Sequence, residues 1–211
     1  MGCRSLAFLV SGNGTNLQAV MDAIEAGELH SSIAVVISDR PEAHALRRAY
    51  AGGIPTAVIE RGHEPIEDYT AAVVRELKKY DPDLIVMAGF MRILGREFVS
   101  EFPKKIINTH PALLPCFGGR GFYGAMVHRA VISSGARFSG CTVHFVTEAV
   151  DAGPIIMQRI VPVEDGDTPE TLADRLRPVE NRTLVDAVKL VCSGAYSIRG
   201  NRVVRGQEGH Q

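Results

Sequence analysis

Leu6-Ala7-Phe8-Leu9-Val10-Ser11-Gly12-Asn13-Gly14-Thr15-Asn16 is the stretch on which the fold turns. The apolar run Leu6–Val10 reads as a strand buried on both faces, the habit of parallel strands. Glycines turn the chain tightly, and a helical pattern over Asn16–Glu25 begins at once. A strand that feeds a helix in this way opens a βαβ unit. The same alternation continues downstream. Strands are expected at Ile33–Ile37, Thr56–Ile59, Leu84–Ala88 and Lys105–Thr109, and helices at His44–Ala51, Ile66–Lys79 and Arg96–Glu101. The expectation is a Rossmann-like α/β fold: a mostly parallel sheet with helices on both faces.

The second half is less regular. A Pro- and Gly-rich loop covers Pro111 to Gly124, followed by a helix at Met126–Ser133 and strands at Cys141–Val146 and Ile155–Val163. Thr168 is the expected N-cap of a long helix, with Pro169 at its first position. That helix runs to about Val191, with a kink or break at Pro178. Ser197–Val204 around Gly200-Asn201 looks like a small hairpin. With no repeat or long linker, 1–211 reads as a single domain. Residues 1–107 form a nucleotide-type half, 108–204 a catalytic loop and C-terminal extension, and 205–211 a frayed tail.

The 211 residues are 45% hydrophobic and 22% charged, with a net charge of −1. That charge gives no electrostatic case for nucleic acid as a partner. No apolar run approaches the roughly 20 residues of a membrane helix. The start, Met1-Gly2-Cys3-Arg4-Ser5-Leu6, lacks signal-peptide features, and Leu6 breaks the myristoylation pattern. Cys3, Cys116, Cys141 and Cys192 are spaced neither as a zinc site nor as a redox pair. Reduced thiols and a cytoplasmic location are the economical reading. No two histidines have H-x-x-x-H spacing, so no metal is expected.

The loop Ser11-Gly12-Asn13-Gly14-Thr15-Asn16 suits a phosphate. Backbone amides and the positive end of a new helix converge there, and Thr15 and Asn16 add side-chain donors. It is not a dinucleotide fingerprint, because Leu17 stands where a third glycine is needed and the acid after the second strand, Asp39, lies too far on. No Lys-Ser/Thr follows for a Walker loop. A plain strand–helix turn without ligand is the bland alternative.

The strand Lys105-Ile106-Ile107-Asn108 runs into Thr109-His110-Pro111, and Asp151 follows in Val150-Asp151-Ala152-Gly153-Pro154. Asn108 and His110, two apart on an extended segment, point to one side. An amide, an imidazole and a carboxylate are the groups that hold an oxyanion and move a proton. In isolation they also read as a capping Asn, a loop His and a turn carboxylate. His144, on a strand, reads as structural or as supporting another group. His30, His44, His63, His128 and His210 read as solvated or packing residues. Arg92 is odd for a core, and its charge suits an acidic, flat ligand.

Taken together, these segments resemble the glycinamide ribonucleotide formyltransferase family, folate-dependent enzymes of purine synthesis. The resemblance rests on 11–18 (Ser-Gly-Asn-Gly-Thr-Asn-Leu-Gln), 88–94 (Ala-Gly-Phe-Met-Arg-Ile-Leu), 108–115 (Asn-Thr-His-Pro-Ala-Leu-Leu-Pro), 141–146 (Cys-Thr-Val-His-Phe-Val) and 151–156 (Asp-Ala-Gly-Pro-Ile-Ile). It implies a seven-stranded, largely parallel sheet and a cis Leu114–Pro115 bond. It implies catalysis by Asn108, His110 and Asp151. The ribonucleotide would bind at Gly14, Thr15, Asn16, Pro111 and Glu180. The co-substrate 10-formyltetrahydrofolate would lie against Met91, Arg92, Ile93 and Leu94, against Asn108, and against Thr147, Glu148, Ala149, Val150 and Asp151. A monomer or homodimer acting on small molecules would follow.

Three features depart from the family pattern. The loop Phe117–Gly124 is longer, Ile66 stands where a basic residue is common, and Asn181 replaces the histidine usual after Glu180. Competing readings are another formyl-folate enzyme and a non-catalytic nucleotide-binding module. A tRNA formyltransferase would need a further domain, and a formyl-folate hydrolase has no use for the phosphate loop.

Overall fold

The computed structural model describes residues 5–206. They form two compact units that divide between Asn108 and Thr109.

The first unit alternates strand and helix as the apolar runs require. It comprises β1 (Ser5–Val10), α1 (Thr15–Glu25), β2 (Ser32–Ser38), α2 (His44–Ala51), β3 (Thr56–Val58), α3 (Ile66–Lys78), β4 (Leu84–Ala88) and α4 (Arg96–Glu101). β1 pairs in parallel with β2 and with β4, and β2 with β3. Leu6 to Val10 are completely buried, the outcome their unbroken hydrophobicity demands. α3 buries Tyr69, Val73 and Leu77, one stripe at four-residue spacing. Its Glu67 and Asp68 lie in the first turn and Arg75 and Lys78 in the last, which complements the helix dipole.

β5 (Ile106–His110) carries the chain from the first unit into the second. The second unit continues with α5 (Ala125–Ser133), β6 (Phe138–Phe145), β7 (Ile155–Pro162), α6 (Pro169–Ser193), β8 (Tyr196–Arg199) and β9 (Arg202–Arg205). β6 and β7 are antiparallel, β9 runs parallel to β7, and β8 closes the hairpin. Val131, Cys141, Val161, Leu172 and Leu176 form a core with Phe117, Val163 and Val179 packed on it. Thr168 caps α6, accepting from the Thr171 amide, while the Thr171 hydroxyl accepts from the Thr168 amide.

Several expectations are corrected. The sheet has nine strands, not seven. The two extra strands are β8 and β9, the expected hairpin at Gly200-Asn201, which joins the sheet through β7. α6 continues through Pro178. Proline removes one N–H bond and crowds the carbonyl four residues back, but the buried Leu172, Leu176, Thr183 and Leu184 anchor the helix on both sides. β6 begins at Phe138, earlier than Cys141, because Ser139 and Gly140 pair with Val161 and Ile160 without an apolar signature of their own. β5 extends one residue further than expected, so His110 is on the strand. In the tail, Arg205 belongs to β9. Residues 207–211 and 1–4, with the expectations placed on them, lie outside the described residues. Among the described residues, no helix is long and apolar enough to cross a membrane.

Candidate active site

His110 closes β5 and is 5% exposed. Its Nε2 lies 2.8 Å from the carbonyl oxygen of Phe117. A carbonyl only accepts, so Nε2 carries a proton and donates. That leaves Nδ1 facing Asp151, 3.6 Å from its Oδ2. His144, buried on β6, makes the mirror arrangement. Its Nδ1 donates to the Phe145 carbonyl at 2.9 Å, and its Nε2 lies 3.6 Å from Oδ1 of Asp151. One carboxylate is therefore flanked by two imidazoles, each with its tautomer fixed by a backbone carbonyl.

Asp151 stands at φ 54°, in the left-handed region, where Asp and Asn are among the few tolerated side chains. Burial alone would raise its pKa. The His144 ring, the Gly119 amide (2.9 Å to Oδ2) and the charge of His110 outweigh burial and hold the carboxyl below its usual range. The group is an anion at neutral pH, able to support a cationic His110. His128, buried on α5, is the fourth titratable neighbour. Burial and, secondarily, His110 lower its pKa, and its Nδ1 has no hydrogen-bond partner among the described residues.

The long loop after Pro115 explains how these contacts arise. Phe117, Gly119 and Gly121 all take positive φ values, which folds the loop back over His110 and Asp151. A Cβ at Gly118 would strike Leu114 and sit 3.4 Å from the Asp151 Cβ. The stretch before the loop is fixed by Thr142. Its hydroxyl donates to the Ala112 carbonyl at 2.7 Å and accepts from the Leu114 amide at 3.0 Å. Gln158 donates to Leu114 O and to Thr142 Oγ1. The Leu114–Pro115 bond is cis, as the resemblance implied. Pro111 is half-buried at the start of this stretch.

Thr109, between Asn108 and His110, was not singled out by sequence. Its hydroxyl donates to Oε1 of Glu180 on α6 at 3.0 Å. The segment 147–150 forms the turn from β6 to β7, with Thr147 Oγ1 donating to Ala149 O at 3.2 Å and Val150 exposed. Gly153 ends that turn because any Cβ there would collide with the Phe145 carbonyl. His144 is where its reading as a structural or supporting residue put it, against Asp151; the loop contacts were missed because backbone carbonyls and amides leave no mark in a residue pattern. The cluster of glycines was the one available sign.

In the first unit, Gly14 caps α1 at φ 73°, and Thr15 and Asn16 begin the helix. A Cβ on Gly14 would lie 2.6 Å from the Ala45 Cβ, so only glycine fits. Ser11, the first residue of the loop, accepts from the Met91 amide at 2.8 Å. The segment Met91–Leu94 follows β4, with Met91 and Ile93 exposed. Arg92 is not an isolated charge: its Nε donates to the fully buried Asp39 carboxylate at 2.7 Å. Burial, and then Asp39, push the Tyr69 phenol up to about 12. Asn108, half-buried, is the last residue of this unit.

The formyl transferase family profile matches residues 4–188. The chain is 37% identical over 198 residues to the phosphoribosylglycinamide formyltransferase of Escherichia coli, covering 93% of this chain and 91% of that one. It is 43% identical over 194 residues to the trifunctional purine biosynthetic protein adenosine-3 of Gallus gallus, covering 92% of this chain but spanning only 19% of that protein's length. Glycinamide ribonucleotide transformylase 1 from Symbiobacterium toebii superposes with a TM-score of 0.91 at 39% identity, over 97% of this chain and 95% of that one. The chain belongs to the formyl transferase family, among the phosphoribosylglycinamide formyltransferases.

Proposed function

We propose that this protein transfers the formyl group of 10-formyltetrahydrofolate to the amine of glycinamide ribonucleotide, in de novo purine synthesis. The observation that carries the reading is Asp151 ionised beside Nδ1 of a His110 whose other nitrogen is fixed as a donor. The amine lone pair attacks the formyl carbon, a C–N bond forms, and the carbonyl electrons move to oxygen. Asn108 and the Nε2–H of His110 donate to that oxygen. One such donor is worth about 10²–10³ in rate. The substrate oxygen takes the place of the Phe117 carbonyl, so His110 exchanges one acceptor for another. The tetrahedral carbon then expels N10 of the folate, which gains a proton as the amine loses one. His110 and Asp151 mediate that transfer, worth about 10²–10⁴.

Gly14, Thr15 and Asn16 hold the ribonucleotide phosphate, and Pro111 and Glu180 its ribose and glycinamide end. Met91, Arg92, Ile93 and Leu94 receive the folate, together with Asn108 and the segment Thr147 to Asp151. Arg92 does so as a guanidinium already tethered through Nε. The protein acts in the cytoplasm as a monomer or homodimer on small molecules, without a metal, nucleic acid or a membrane.

The test is an assay of purified protein with glycinamide ribonucleotide and 10-formyltetrahydrofolate, run beside formate and ATP as the other formyl source. Formylated ribonucleotide and tetrahydrofolate in equal amounts are expected. Folate release without formylated amine would instead mark a hydrolase, and product from formate and ATP alone would remove folate from the reaction.

A further inference from the structure

The loop that carries the phosphate reading is held by a residue outside it. Arg48, on α2, directs three nitrogens at the loop and its helix. Nε donates to the Asn13 carbonyl at 2.9 Å, Nη1 to Oε1 of Gln18 at 3.1 Å, and Nη2 to Oδ1 of Asn13 at 3.5 Å. The Arg48 Cδ lies 3.5 Å from where a Gly14 Cβ would be. α2 supports the same loop twice more, by the Ala45 amide donating to Gly12 O at 3.0 Å and by Ala45 closing on Gly14. The loop itself has no side-chain cap, since Gly14 is the N-cap of α1. Its conformation therefore depends on α2, and the guanidinium brings a charge to these contacts.

We propose that Arg48 is a positioning residue for the ribonucleotide phosphate, clamping Asn13 and Gln18 so that the first-turn amides of α1 converge on one anion. The inference rests on the proposed phosphate site at Gly14–Asn16. A planar fork with five N–H donors bridges three acceptors at once, and a lysine ammonium cannot match that geometry. Three acceptors occupy three of the five donors, so the charge is neutralised by no carboxylate in these contacts and adds to the positive potential of the helix start.

The test uses Arg48→Met, Arg48→Lys and the milder Gln18→Leu, with Gly14→Val as reference. Steady-state kinetics in both substrates is paired with calorimetric binding of ribose 5-phosphate. Arg48→Met is expected to raise KM for the ribonucleotide about tenfold, in line with loss of charge-assisted hydrogen bonds. It should weaken ribose 5-phosphate binding equally, with KM for the folate and saturating kcat within about twofold. Arg48→Lys should recover less than half of the loss, and Gln18→Leu should show a rise of about two- to threefold. Full recovery by lysine would overturn the clamp in favour of charge alone. An unchanged ribonucleotide KM in Arg48→Met, or equal damage to both substrates, would overturn the proposal. If Gly14→Val also binds ribose 5-phosphate normally, it is the phosphate site itself that fails.

Discussion

In the proposed mechanism Asp151 has two jobs that can be separated by substitution. Its carboxylate supports His110, and its φ of 54° needs a residue that tolerates the left-handed region. Asn meets the second need and not the first. Asp151→Asn is therefore expected to stay folded, melting below the parent by no more than the loss of the carboxylate's own contribution, while kcat falls at least about 100-fold; circular dichroism and the formyl-transfer assay check both. Gly14→Val is the opposite case. Its Cβ would meet the Ala45 Cβ at 2.6 Å and Cα at 2.8 Å, at a φ of 73°. Backbone strain alone costs about 1–3 kcal/mol. Denaturant melts should show that loss together with weaker ribonucleotide binding. The types of His110, Asp151 and Gly14 made them legible in sequence. Phe117 and Gly119 were not legible, because they act through a carbonyl and an amide that every residue possesses.

Elements were legible to the extent that their apolar pattern was complete. β1, β2 and β4 are continuous hydrophobic runs, and their strands fell where the pattern put them. The start of β6 was hidden because Phe138-Ser139-Gly140 has no such run, and its membership comes from pairing with β7. Pro178 read as a kink or a break, and the break is absent: α6 runs on through it, held by buried contacts on both sides. The side chain is exposed, so replacement loses little packing. Pro178→Ala should restore the N–H bond to the Asp174 carbonyl and raise stability by about 1–3 kcal/mol. Thermal melts would show it as several degrees, and a lower melting temperature would mean that the proline is serving the packing of α6. Gly153→Ala should do the reverse, since its Cβ collides with the Phe145 carbonyl at the turn that presents Asp151.

Stability of the folded chain should carry a histidine signature on the acid side. His128 has a folded pKa below its unfolded value. The unfolded chain therefore binds the proton more readily, and stability declines as pH falls through about 6.5. Replacing His128 by Leu removes a buried nitrogen without a partner and removes this part of the slope. Melting temperatures between pH 7.5 and 5.5 should fall less in His128→Leu than in the parent. Asp151 acts in a different window. Its lowered pKa contributes stability that is present above about 3.9 and lost as pH falls towards the folded value.

The central claim is that Asp151 and His110 move the proton of a non-covalent formyl transfer. It is met most directly by single-turnover formyl transfer from 10-formyltetrahydrofolate to glycinamide ribonucleotide in the parent, His110→Ala and Asp151→Asn, with ribonucleotide binding measured on the same samples. The expected result is a rate loss of about 10²–10⁴ in each variant, with ribonucleotide affinity within a few-fold of the parent. Near-native transfer by either variant would contradict the account.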